Sequence, residues 1–195
     1  NDTKVAIDIQ DDVGVNKIEN VSISIAKNEV NTFDASNLTN FRELDNLLKK
    51  ASQVKTNKKR WLFVVGIEKY EYTDNISYAK RSAEMFVKAS QKRLGIPKEN
   101  SYVMIDSQAS QARIKTNLKK MLRRVEKGDS IYFYYNGHGV PVPSKKNEPY
   151  MLTFDTDPDF VQDESFFSLQ NIYSKLSDSK AKKIVAVVDS CFSGV

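Results

Sequence analysis

One cysteine, Cys191, and one histidine, His138, are all that the chain of 195 residues holds of either type. A single thiol cannot close an internal disulfide, so cysteine usage leaves the redox compartment open. No apolar stretch approaches the roughly 20 residues needed to cross a bilayer, which excludes a membrane-spanning helix. An initiator methionine is also missing. The chain begins at Asn1, and the expectation is that its natural start lies upstream, with room for a removed signal peptide and for either a cytoplasmic or an exported location. Charge of one sign is in modest excess: 30 Lys and Arg against 25 Asp and Glu, net +5, with a pI near 9.1. The lysines are spread over predicted helices and loops and are not interleaved with aromatics. The excess therefore reads as a solvated basic surface and not as a nucleic-acid site.

What is present concentrates at the end of the chain. The β-branched and small apolar run Ile184-Val185-Ala186-Val187-Val188 reads as a fully buried strand. It stops at Asp189, and Cys191 follows two residues later. His138 lies fifty-three positions upstream in Tyr134-Tyr135-Asn136-Gly137-His138-Gly139, just past the apolar run 131–135. Open α/β sheets place their active sites beyond the carboxyl ends of parallel strands. One thiol and one imidazole, each at such an end, can form a catalytic pair with no competing candidates. The commoner fate of a lone Cys is burial in a core, and a lone His is most often a satisfied surface or core residue. The strand ends, the small residues and the glycines at 137 and 139 favour catalysis.

In chain order, residues 3–32 alternate in places, with Val5, Ile7 and Ile9 and then Val21, Ile23 and Ile25. They read as short antiparallel strands, and residues 1–35 as a β-rich segment similar to the end of an immunoglobulin-like module. A helix is expected over 40–52, capped by Asn40 with Glu43 as reciprocal partner, and Lys55 to Arg60 as a basic, protease-sensitive linker closing the stretch 36–59. From Arg60 the pattern turns to strand (61–67), helix (78–94), strand (102–105), helix (114–125), strand (131–135), a short extended segment (150–154), helix (169–176, capped by Ser168) and strand (184–189). Repeated βα units imply a parallel sheet with helices on both faces.

Strand-Asn136-Gly137-His138-Gly139 followed by strand-Asp189-Ser190-Cys191-Phe192-Ser193-Gly194 resembles the caspase-like cysteine peptidases of clan CD, peptidase family C14. The bacterial and metacaspase branch is the nearer one. A His about fifty residues before the Cys is itself a known caspase trait, so the spacing is a match and not a discovery. The animal signature Gln-Ala-Cys-Arg-Gly is absent: Asp189 stands for its Gln and Phe192 for its Arg. The resemblance runs from about Arg60 to Val195 and implies an α/β fold of the three-layer α/β/α kind with a mostly parallel sheet. It also implies strands after the nucleophile. Residues 60–195 would thus be a large-subunit-like part of a catalytic domain, with a C-terminal small-subunit fragment of the same precursor as partner and an uncovered sheet edge to receive it.

The resemblance assigns Cys191 as nucleophile and His138 as general acid–base, working as a dyad through an acyl-enzyme. It assigns the Gly139 and Cys191 N–H groups to the oxyanion hole. A carboxylate two residues before the nucleophile attracts Lys or Arg, so Asp189 is read as the ligand of a basic P1 side chain, the residue preceding the cleaved bond. The bland alternative is a structural Asp at a strand end. Metacaspases carry a second acid in the first helix; here Ser82 takes that place, with Glu84 or Asp74 as possible substitutes. Asp155 fits a calcium-ligand position of some metacaspases, but their later paired acids are Leu169 and Gln170 here. No metal and no other cofactor is expected, and the loop 155–164 reads as solvated. A Lys-directed peptidase would cut itself in the exposed loop 141–149, at Lys145 or Lys146, or within 55–60. The leading expectation is therefore a cysteine endopeptidase acting after Lys or Arg. The alternative is a catalytically silent caspase-like scaffold for protein association; a basic adaptor for nucleic acid or acidic partners rests on charge alone.

Overall fold

The computed structural model describes residues 41–190. The expected strands in 1–35, the Asn40 cap and Cys191 itself lie outside those residues. By contacts the chain divides into two units, Asn1–Asn46 and Leu47–Val195, and helix α1 (Phe41–Lys50) runs across that division.

The larger unit is built on a four-stranded parallel sheet in the order β2-β1-β3-β6, with β1 at Arg60–Gly66, β2 at Ser101–Ile105, β3 at Ser130–Asn136 and β6 at Lys183–Asp189. A two-stranded antiparallel hairpin, β4 (Gly139–Val142) and β5 (Glu148–Met151), follows β3. Helices α2 (Ala79–Arg93), α3 (Gln111–Arg124) and α4 (Leu169–Ser177) make the crossovers.

Strand periodicity decides the layers, because successive side chains leave a strand on opposite faces. Leu62 and Val64 of β1 join Tyr134 of β3 and Ala83 of α2 in one apolar cluster. Trp61, Phe63 and Val65 join Ile131, Phe133 and Tyr135 in another, together with Ile114, Leu118 and Met121 of α3 and Leu169, Ile172 and Leu176 of α4. The sheet thus has α2 on one face and α3 with α4 on the other. Gly66 sits where α2 presses closest: an added Cβ would collide with the Ala83 methyl and stand 3.1 Å from the Ala79 carbonyl. From β1 the chain moves outward to β2, then crosses back over β1 to β3 and on to β6. The direction reverses between β1 and β3, and the crevice at their carboxyl ends is the ligand position of open α/β sheets.

Three expectations are corrected. The run 184–188, read as fully buried, is only partly covered, and Val187 is 37% exposed. β6 is the last strand of the sheet among the described residues, and α2 does not reach its Val185 and Val187 face, whereas Ile184, Ala186 and Val188 pack against the α3–α4 side. The stretch 141–149, read as an exposed loop, is half strand: Pro141 pairs with Pro149 and Val142 with Glu148, which leaves only the tip as a turn. The basic segment before β1 is not a free tether. The Val54 N–H donates to the Lys92 carbonyl at 3.0 Å, the Asn57 N–H to the Gly95 carbonyl at 2.8 Å, and Asn100 Nδ2 to the Lys58 carbonyl at 2.8 Å. The Ser168 cap, by contrast, stands as expected, its Oγ accepting the Asn171 N–H at 3.1 Å.

Candidate active site

Asn136 and Asp189 are register partners at the carboxyl ends of β3 and β6. His138 is two residues past the first, and Cys191 is two residues past the second in sequence. Neighbouring strands lie about 4.8 Å apart, so this register starts both segments from adjacent points.

His138 is held at its main chain and at its ring. Its N–H donates to Tyr70 Oη at 2.7 Å, and its carbonyl accepts from the Tyr135 hydroxyl and, at 3.0 Å, from the Leu152 N–H. The imidazole lies 4.9 Å from the Tyr70 ring, centroid to centroid, tilted by 46°. Nε2 stands 2.9 Å from the Asp74 main-chain oxygen. A carbonyl can only accept, so this contact puts the proton on Nε2 and leaves Nδ1 as the basic nitrogen of the neutral ring.

The loop that delivers Asp74 is itself tied down. Asp106, which adopts a left-handed conformation at φ 48°, accepts the Glu68 and Lys69 N–H groups on Oδ1 at 2.9 and 3.1 Å. The Tyr70 N–H donates to Asn75 Oδ1 and the Ile76 N–H to the Glu68 carbonyl, both at 3.0 Å. Glu71 N–H reaches the Phe154 carbonyl, also at 3.0 Å. Gly137 is required by close approach: a Cβ there would lie 2.5 Å from Tyr70 Oη and 2.7 Å from Tyr135 Oη. Burial pushes the Tyr70 hydroxyl up to about 12 and the Tyr135 hydroxyl well above the ordinary phenol range, so both remain protonated donors.

A second group lies on the α2 side of the same sheet end. Asn136 Nδ2 donates to Asp189 Oδ2 at 2.7 Å and to Tyr134 Oη at 3.2 Å. Ser82 on α2 acts on the Tyr134 hydroxyl, opposing part of the rise that burial causes, and the Tyr134 ring stacks on Phe86 at 4.4 Å. Burial, with the Asp189 charge as a further cause, raises the Tyr134 hydroxyl above its ordinary pKa. The structure therefore brings Asp189 and Ser82 into one chain of contacts through two residues that sequence reading passed over. Glu84, about 200° further round the helix from Ser82, is exposed to solvent.

Of the remaining expected residues, Gly139 opens β4 opposite Met151. Lys145 and Lys146 sit at the exposed hairpin tip, where Lys145 Nζ bonds Tyr150 Oη at 2.8 Å and the Gln162 carbonyl at 3.0 Å. Several oxygens of the acidic loop are engaged in the fold. Asp155 Oδ1 accepts the Gln111 N–H at the start of α3 and the Thr153 hydroxyl at 2.8 and 2.9 Å. Asp157 accepts the Asp159 N–H, and Glu164 pairs with Lys115 at 2.7 Å. Among the described residues no three His, Cys, Asp or Glu side chains converge as a metal-holding group.

Tyr134 and Asn136 were within reach of sequence reading, since strand alternation puts them on one face. Tyr70, Asp106 and the Asp74 carbonyl carried no such signal: they reach His138 through a loop sixty-odd residues away in sequence, and one of them is main chain.

Comparison with known proteins bears on this arrangement. The family described as metacaspase, peptidase C14 domain matches residues 68–195. Metacaspase-6 of Arabidopsis thaliana is 26% identical over 113 residues, which is 53% of this chain and 29% of that protein. Metacaspase-7 of the same plant is 25% identical over 141 residues, 67% of this chain and 34% of that protein. The chain thus spans about a third of the length of these curated relatives. A crystal structure of a protein from Geobacter sulfurreducens matches with a TM-score of 0.56 at 18% identity, over 70% of this chain and 52% of that one, which is a likeness of fold.

Proposed function

Because the chain belongs to the metacaspase, peptidase C14 domain family, we propose that it is the nucleophile-bearing part of a cysteine endopeptidase that cleaves after Lys or Arg. The observation that carries this reading is the pairing of His138, fixed through Nε2 by a main-chain carbonyl, with a strand end that leads directly to Cys191.

In the proposed reaction Nδ1 of His138 takes the Cys191 thiol proton. The thiolate attacks the carbonyl carbon of the peptide, and the Gly139 and Cys191 N–H groups receive the oxyanion. The imidazolium then returns its proton to the leaving amine nitrogen as the C–N bond breaks. Water, deprotonated by the same Nδ1, releases the acyl group as a carboxylic acid and restores the thiol. Nε2 keeps its proton throughout, and the Asp74 oxygen stabilises the imidazolium while it exists. The Asp189 carboxylate, at the end of β6 and exposed, receives the basic P1 side chain.

The same proposal includes processing and a partner. Residues 60–195 act as the large-subunit-like part, and a C-terminal fragment of the precursor pairs with the edge of β6 that no other described strand occupies. Cleavage falls at the hairpin tip, at Lys145 or Lys146. Both are exposed, and Lys146 is left-handed at φ 59°.

The test is hydrolysis of fluorogenic peptides ending in Arg, Lys or Asp by the full-length protein and its Cys191→Ala and Asp189→Ala variants. Turnover after Arg and Lys is expected, with a loss of at least about a thousandfold in Cys191→Ala and a loss confined to basic substrates in Asp189→Ala. Turnover only after Asp removes Asp189 from the P1 site. No turnover by full-length protein, before or after limited proteolysis, moves the weight to a silent scaffold. Intact mass of the same samples reads whether the active form is cut at the hairpin.

A further inference from the structure

We propose that Asn136 is the positioning residue of the P1 pocket: its amide holds the Asp189 carboxylate in the orientation that meets a basic side chain, and Tyr134 and Ser82 hold the amide. The inference rests on the basic-P1 reading above and goes beyond it by naming what makes that carboxylate effective.

Asp189 ends the outermost described strand and is exposed, so nothing in its own exposure confines its side chain. A mobile, solvated carboxylate pairs weakly with a cation, because water screens the charge and ordering both partners costs entropy. Asn136 differs on every count. It is only 9% exposed, it sits one strand inward at the register position facing Asp189, and its Nδ2 reaches Asp189 Oδ2 at 2.7 Å. An ordering cost met within the free protein is not charged to the substrate on binding.

The chemical type of the holder matters as much as its place. A Lys or Arg in this position would orient Asp189 and cancel its charge. An amide donates the same hydrogen bond and is neutral, so the pocket keeps its full formal negative charge. The buttress is neutral too. Tyr134 Oη accepts from Asn136 at 3.2 Å, its ring stacks on Phe86 at 4.4 Å, and Ser82 acts on its hydroxyl from α2. Ser82, which stands where relatives were expected to carry a second acid, thus acts through Tyr134. One carboxylate, oriented by three uncharged side chains drawn from α2 and β3, replaces a carboxylate pair.

The experiment uses full-length protein, P1-Arg peptides and benzamidine, a cationic mimic of the P1 side chain. Asn136→Ala is expected to raise KM and the benzamidine inhibition constant by about tenfold, in line with a hydrogen bond to a charged group, and to leave kcat and the rate of Cys191 alkylation by iodoacetamide within about twofold. Tyr134→Phe, which keeps the amide and removes its anchor, is expected to shift both constants the same way by less. Adding Asn136→Ala to Asp189→Ala is expected to cost nothing further, since the amide acts only through the carboxylate. Wild-type KM and benzamidine inhibition in Asn136→Ala, with both lost in Asp189→Ala, overturns the role of Asn136 and leaves the basic-P1 reading standing. Wild-type turnover after Arg in Asp189→Ala overturns both. A fall in kcat and alkylation rate with KM unchanged places Asn136 with the dyad and also overturns the proposal. If Asn136→Ala does not fold, unchanged benzamidine inhibition in Tyr134→Phe overturns it.

Discussion

Tyr70 joins three roles in one side chain: its hydroxyl receives the His138 N–H, its ring lies against the imidazole, and its burial raises its pKa to about 12. In the unfolded chain the same phenol ionises near pH 10. Between those values the unfolded state sheds a proton that the folded state retains. The contribution to stability is therefore full below about pH 10 and is lost as pH rises through about 12, at up to about 1.4 kcal/mol per pH unit. Tyr70→Phe should make the decline of stability between pH 10 and 12 shallower, measured as urea midpoints across that range. It should also lower stability at neutral pH by about 1–3 kcal/mol, because the His138 N–H loses its acceptor. An unchanged alkaline slope would show that Tyr70 titrates alike in both states. His138 stood out in the sequence because it is unique and flanked by glycines, and Cys191, outside the described residues, because it follows a strand that ends in Asp189. Tyr70 was not, since nothing local to it marks one of nine tyrosines as the neighbour of His138.

At the scale of elements, strands and helices were legible from period and caps, whereas the connections were not. The loop between β1 and α2 has no apolar period, and its shape is written in side-chain to main-chain bonds from Asp106 and Asn75. Asp106→Ala removes the acceptor of two N–H groups at the root of that loop. The expected result is a fall in kcat of about tenfold or more with KM held within about twofold, because the loss acts on His138 geometry and not on P1 binding. A rise in KM alone would detach the loop from the dyad. The burial of β6 was misjudged for a related reason. An unbroken apolar run signals a strand in a parallel sheet, but whether both faces are covered depends on how far α2 extends, and here it stops short of Val187.

For the whole molecule, alternation of βα units was enough to indicate a parallel sheet with helices on both faces. The order β2-β1-β3-β6 adds the reversal between β1 and β3 that places His138 and its loop at a single crevice. Among the described residues no strand pairs with the outer side of β6, and that side is where the proposed C-terminal fragment pairs. Hydrogen–deuterium exchange reads this directly: in the longer precursor the amides of 183–189 should exchange at least about tenfold more slowly than in the chain ending at Val195, while those of β1, already central, remain unchanged. Equal rates across β6 in the two forms would remove that strand as the docking edge.

The oxygen that orients His138 belongs to the peptide backbone at Asp74. Every amino acid carries that atom, so no codon specifies it and no single replacement deletes it. Alanine scanning leaves it in place, and a comparison of side chains among relatives has nothing at that position to align. It can be lost only as a displacement, through the residues that set the path of the loop. The inheritance of this part of the site is thus spread over Asn75 and Asp106, and its failure in a variant would be read first at residues whose side chains hold the loop and not the imidazole.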